Sequence, residues 1–190
     1  MLLDSATIDH LIDTAVGAAS ARSVDLSDVL DRIPAPIYVT ESDGVITHYN
    51  QACLALAGRV PQPGQDKWCV TWKLFTTDGE PLPHDQCPMA VAIRERRAVR
   101  GTEAIAERPD GTRVTFEPYP TPLFDGDGRL IGAVNLLLDV TEQRKPDYLR
   151  AQAARCRRLA GAVDDRHVIE TLELMAAKYE EQAHRALRGP

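Results

Sequence analysis

The chain has 190 residues, 44% of them hydrophobic and 26% charged, with a formal net charge of −6. That length holds one domain with a real core plus an extension, and falls short of two full domains. The acidic balance argues against a whole-surface nucleic-acid binder, no apolar run approaches a membrane span, and "MLLDSATIDH" lacks the basic and apolar regions of a secretory signal. Cys53, Cys69, Cys87 and Cys156 are widely spaced and form no CxxC, so reduced thiols in a cytosol are expected.

Residues 1–33 read as a helical, acidic N-terminal cap. Asp4, Asp9, Asp13, Asp25, Asp28 and Asp31 stand against Arg22 and Arg32. Ile8, Leu11, Ile12, Ala15 and Ala19 recur at three- and four-residue spacing, and Pro34 and Pro36 stop any helix.

The period changes over residues 34–141. "APIYVTE" and "VITHYN" read as strands around the turn "SDG", and "NQACLALAG" as a short helix closed by Gly58. Residues 59–86 are rich in Pro and Gly and read as loop. A helix follows from about Cys87 to Arg97, with Asp85 as its N-cap and Pro88 in its first turn. "RGTEAIAE", "TRVTFEPYP" and "LIGAVNLLLDV" then read as three strands joined by Asp-Gly turns. The pattern is α+β: one antiparallel sheet with its helices on one face.

Residues 142–190 read as two amphipathic helices. Leu149, Ala153, Cys156, Ala160 and Val163 line the first; Val168, Leu172, Met175, Tyr179 and Ala183 line the second. Gly161 and Asp164 or Asp165 supply the break, so a helical hairpin for output or dimerisation is expected.

The middle segment resembles the PAS domain family. The resemblance is carried by "IPAPIYVTESDGVITHYNQACLALAG", "ERPDGTRV" and "DGDGRLIGAVNLLLDVTEQRK", in that order over roughly 110 residues. The stretch from "WCVTW" through "DGEPLPHDQCPMAVAIRERRAVRGTEAIAERPDGTRV" is similar to PAS repeats of bacterial sensor histidine kinases. The resemblance implies a five-stranded antiparallel sheet, helices over one face, and a sensing pocket between them. Its end motif matches Asp139 and Thr141, which it makes signal-relay residues at the junction to the last helices.

By the same resemblance Ala133, Asn135 and Leu137 face the pocket, joined there by Ile37 and by Phe116, Met89 and Ile93, which read equally as plain core filling. Asn135 would bond either a ligand or nearby backbone, since a buried amide needs partners. Val134, Leu136 and Leu138 then face out, and the N-terminal helix, the tail or a second subunit must cover them. Pro118, Pro120 and Pro122 share one parity and lack their N–H donors on one side of the strand. The ladder to "GTEAIAE" is therefore expected to fail past Phe116, giving an opening to the pocket, or else a simple strand end or bulge.

"HDQCP" has a full structural account as a helix start. The alternative is haem ligation through His84 or Cys87, as in some PAS domains; zinc on Cys69, His84 and Cys87 would lack a fourth ligand. No covalent flavin motif is present. His167 lies in "DDRHVIETL", outside a phospho-acceptor motif, and no Gly-rich nucleotide loop occurs, so neither kinase nor other enzymatic activity is expected. The expectation is a cytoplasmic, stand-alone bacterial PAS sensor that forms a homodimer. It would bind a small molecule or stand ligand-free as an adaptor. Its partner would be a protein such as a histidine kinase or response regulator, not nucleic acid or membrane.

Overall fold

The structure is a computed structural model and describes residues 4–21 and 25–188. The chain divides into two compact units, Met1–Asp139 and Val140–Pro190. The N-terminal helices belong to the first unit, so the cap read as a separate 1–33 segment is part of the sheet domain.

In the first unit, helix α1 (Ser5–Ser20) starts at Asp4, whose carboxylate accepts the Thr7 N–H at 2.8 Å. Helix α2 (Leu26–Asp31) follows. The sheet strands are β1 (Ile37–Glu41), β2 (Ile46–Tyr49), β3 (Lys73–Phe75), β4 (Ala104–Glu107), β5 (Arg113–Phe124) and β6 (Leu130–Asp139). Between them lie helices α3 (Ala52–Ala57) and α4 (Pro88–Glu95). The sheet runs β2-β1-β6-β5-β4-β3, with every pairing antiparallel.

Six strands stand where five were expected. The sixth, β3, lies in the region read as loop and pairs Lys73 with Glu107, Leu74 with Ala106 and Phe75 with Ile105. Three residues are too few to show a period of two.

The two faces of the sheet carry different cores. Tyr38, Ile46, Val114, Phe116, Ala133 and Leu137 face inward with Cys53 and Leu56 of α3 and Met89 and Ile93 of α4. Ile37, Val39, Val134 and Leu136 face the other way, against Ile8, Ile12, Ala15 and Ala19 of α1 and Leu26 and Leu30 of α2. Each large aliphatic side chain buried there stabilises by about 1.5–3 kcal/mol. The outer face is thus closed by α1 in cis. At Gly132 any Cβ would sit 2.0 Å from the Thr40 carbonyl oxygen, so the close approach of β1 to β6 demands glycine.

The three prolines divide the ladders as their parity requires. Pairing of β4 with β5 ends at Ala104↔Phe116, while β5 and β6 stay paired from Phe116↔Asp139 to Phe124↔Leu130.

The helix α4 begins differently from the expectation. Cys87 is its N-cap and Pro88 its first residue, while Asp85 lies in a 3₁₀ turn at His84–Gln86. Its C-cap, Arg96, is left-handed at φ 54°.

The second unit is a hairpin of α5 (Pro146–Ala160) and α6 (Arg166–Arg188). Ala153 and Cys156 pack with Ala176, Leu172 and Tyr179. The Asp165 carboxylate caps α6, accepting N–H bonds from His167 at 2.9 Å and Val168 at 3.1 Å. Arg157 and Glu180 pair across the helices at 2.5 Å. The buried row of α6 runs Leu172, Ala176, Tyr179, Ala183 rather than through Val168 and Met175, which are 41% and 43% exposed. The small Ala176 takes the seam opposite Ala153 and Cys156 because it lets the helices approach. Val163, placed on the α5 stripe, lies beyond the helix end and is 37% exposed. No helix among the described residues is long and apolar enough to cross a membrane.

Candidate sensory site

The inner core contains a chain of buried polar groups that the sequence reading found only in part. Alternation along β1 turns Tyr38 inward, and the β1–β6 register sets it opposite Asn135. The Asn135 amide donates to the Tyr38 hydroxyl at 2.9 Å, and that hydroxyl donates to the Trp68 carbonyl at 2.8 Å. The Asn135 Oδ1 accepts the Tyr119 N–H at 3.0 Å. This requirement for an acceptor fixes the orientation of the amide. Both polar ends of Asn135 therefore have protein partners. One chain of bonds links β1, β5, β6 and the loop before β3.

Trp68 holds its carbonyl inward through a left-handed backbone, φ 70°, which costs a non-glycine residue on the order of 1–3 kcal/mol. Its ring lies where any Cβ on Gly44 would be, 2.3 Å from the nearest ring atom. Burial pushes the Tyr38 phenol well above its ordinary pKa. Tyr38 therefore acts as a neutral donor.

The thiols sit around the same chain. The Cys87 Sγ lies 3.9 Å from the Trp68 carbonyl oxygen, and the Thr71 hydroxyl donates to the Cys69 Sγ at 3.2 Å. The Cys53 thiol meets the Ile37 carbonyl at 3.3 Å. Burial raises all three, Cys53 and Cys87 to about 12. Neutral buried thiols behave as small apolar side chains rather than nucleophiles.

The expected pocket residues divide between the two cores. Met89, Ile93, Phe116 and Leu137 line the inner core with the buried Asn135. Ile37 does not: it lies in the outer cluster under α1, opposite Leu136. Val134 and Leu136 are fully buried on that outer face, and Leu138 is half-buried at its border. Asp139 closes β6 opposite Phe116, and Thr141 precedes a 3₁₀ turn at Glu142–Arg144.

The two haem candidates, His84 and Cys87, lie in different surroundings. Cys87 turns into the core, while half-buried His84 has Arg59, Asp66 and Asp85 as its charged neighbours. Burial, with the Arg59 charge second, holds the His84 pKa below its usual value. Among the described residues no group of three or more His, Cys, Asp or Glu side chains is placed to hold a metal ion.

Asn50 also escaped the sequence reading. It is 1% exposed, its amide donates toward the carbonyls of Leu30, Ile33 and Ala35, and its Oδ1 accepts the Ile37 N–H at 3.0 Å. It ties α2 and the linker after it to the start of β1. The one available signal was an Asn between a strand and a helix.

Comparison with known proteins agrees with this architecture. No curated protein matches the sequence. Among solved structures, an RNA-binding light-oxygen-voltage receptor is similar at 25% identity and a TM-score of 0.49, over 62% of this chain. This chain spans 33% of that receptor's length. A PAS domain from Colwellia psychrerythraea is similar at 20% identity and a TM-score of 0.43, over 60% of this chain and 93% of that one. A light-oxygen-voltage protein of Rhodobacter sphaeroides is similar at 12% identity and a TM-score of 0.46, over 86% of this chain and 96% of that one. The family described as PAS fold matches residues 30–145, more than half of the chain, and the chain belongs to that family.

Proposed function

We propose that this chain is a sensory and interaction protein of bacterial signal transduction, with no catalytic role of its own. A change in the inner core is passed along β6 into the C-terminal helices. The observation that carries this reading is the position of Asn135. It joins the buried hydrogen-bond chain from Tyr38 and Tyr119, and it lies on the strand whose last residue is Asp139. A rearrangement of that chain moves β6 directly, because a core packed this closely does not absorb a shift silently. A ligand drives such a rearrangement only if it binds the two arrangements with different affinity. The output is docking of the helices on a protein such as a histidine kinase or response regulator in the cytoplasm. The test is hydrogen–deuterium exchange of Asn135→Leu against wild type. Altered protection in residues 140–160 supports the relay, and unchanged protection there overturns it.

Homodimerisation through the hairpin is part of the same reading. It is supported by the exposed apolar side chains Leu159, Val168, Leu174 and Met175. Native mass spectrometry checks it: the expected species is a dimer, and a monomer at micromolar concentration removes dimerisation from the proposal.

A further inference from the structure

The three prolines of β5 leave an edge that no strand can zip. Past Ala104↔Phe116 that edge has lost its N–H donors at Pro118, Pro120 and Pro122. The segment that enters β4 lies against it instead. The Val99 N–H donates to the Pro120 carbonyl at 3.2 Å. Arg100 adds a side-chain clasp: Nη1 donates to that carbonyl at 3.0 Å and to the Val99 carbonyl at 2.9 Å, and Nη2 to the Thr121 hydroxyl at 2.9 Å. Its guanidinium also stands over the Tyr119 ring, 5.5 Å from the centroid.

This closure differs in kind from the strand ladders around it. One backbone bond, the exposed Arg100 side chain and the buried Val99 side chain hold it. Gly101, next in the chain, is at φ +68° with nothing within 4 Å of a Cβ position, and the Thr102 hydroxyl is buried without a partner. A segment held by few hydrogen bonds and a single buried valine opens at lower cost than the core strands, which carry full ladders. Its anchor is also the register partner of the polar core: Pro120 pairs with Asn135, and the adjoining Tyr119 N–H bonds Asn135.

We propose that Val99–Gly101 is a releasable strap over the seam beside β5, and that its release admits small uncharged molecules to the inner core. Detachment from Pro120 frees the edge beside Phe116 and loosens the backbone that holds Asn135. Entry and the state of the Asn135 chain are then linked through two adjoining residues, Tyr119 and Pro120. The use of this opening in signalling rests on the function proposed above; the opening itself does not.

The experiment reads the opening directly through the core thiols. Wild type, Arg100→Ala and Thr121→Val are labelled with methyl methanethiosulfonate and followed by peptide mass spectrometry. Cys156, in the hairpin, is the internal reference. In Arg100→Ala the labelling of Cys69 and Cys87 is expected to rise about tenfold, the effect of losing about 1.4 kcal/mol of closure. Thr121→Val gives a smaller rise, and the slowest-exchanging amides of β1 and β6 keep their wild-type rates. Wild-type labelling in both variants overturns the strap. So does a rise matched by equal acceleration of those slow amides, which marks global unfolding. If Arg100→Ala does not fold, Thr121→Val decides alone: about threefold faster labelling supports the strap, and unchanged labelling rejects it. A strap that opens while Asn135→Leu leaves the hairpin unchanged would separate entry from relay.

Discussion

Removing the Tyr38 hydroxyl tests whether the buried chain is one coupled unit. Tyr38→Phe preserves the ring volume but strips two groups of their partner: the Asn135 amide and the Trp68 carbonyl. A buried polar group left unpaired costs about 1–3 kcal/mol, so a loss of about 3 kcal/mol is expected. Asn135→Leu orphans instead the Tyr119 N–H, at about 1.5 kcal/mol. In the double variant the Asn135 amide no longer exists, so its penalty disappears. The double variant is therefore less destabilised than the sum of the singles by about 1.5 kcal/mol, the cost of that one orphan. Urea unfolding followed by tryptophan fluorescence measures this cleanly, because Trp68 and Trp72 both lie in the first unit. Additivity within about 0.5 kcal/mol would refute the coupling and leave three independent bonds.

Other perturbations probe the supports of this site. Gly132→Ala drives a methyl group into the Thr40 carbonyl and is expected to cost about 3 kcal/mol or prevent folding, whereas Gly126→Ala, with open space around it, stays within about 0.5 kcal/mol in the same urea titration. Ile12→Ala, in the buried row of α1, is expected to cost about 3 kcal/mol and to increase binding of a hydrophobic dye as Val134 and Leu136 become exposed; a loss below about 1 kcal/mol would show that α1 is not the cover. His84 is held below its usual pKa, so the unfolded chain binds the proton first as pH falls below about 6.5. Stability is then lost on acidification from that point toward the folded-state value, and His84→Gln should flatten urea midpoints between about pH 7.5 and 5; identical pH profiles would refute the assignment.

Much of this architecture is legible in the sequence where one physical rule dominates. The shared parity of Pro118, Pro120 and Pro122 removes donors on one side, and the ladders divide there without help from tertiary context. Gly58 closes α3 in the left-handed conformation for the same kind of reason: a single residue type suits the position. The rules fail where two choices are equally apolar. "IYV" is buried on both faces, so its hydrophobicity does not reveal that Tyr38 rather than Ile37 points inward. The register against β6, set by Tyr38↔Asn135, decides it. On α6 both Met175 and Ala176 suit a helical stripe; only the closeness of the facing helix selects the smaller one. The Tyr38–Asn135–Trp68 chain was half visible, because a polar residue between aliphatics announces burial but not its partners. Its third member depends on a left-handed Trp68, which no local pattern specifies.

The placement of that chain on β6 has a mechanical consequence. Both β1 and β6 are loaded from the two sides of the sheet: Tyr38, Ala133 and Leu137 meet the inner core, Val39, Val134 and Leu136 the outer one. Only β6 also continues past the domain edge at Asp139. A displacement of Asn135 has two routes out, across the strand to α1 or along it to the chain end. The outer route meets fully buried side chains, 0% exposed at Val134 and Leu136, beneath Ile8, Ile12 and Ala15. Yielding there requires repacking an apolar layer, at about 1–3 kcal/mol for even modest misfit. At the strand end Leu138 is only partly covered and Asp139 is exposed. The relay proposed above runs along β6 rather than through it. In that proposal α1, by closing the outer face, directs a change in the core toward the residues that follow Asp139.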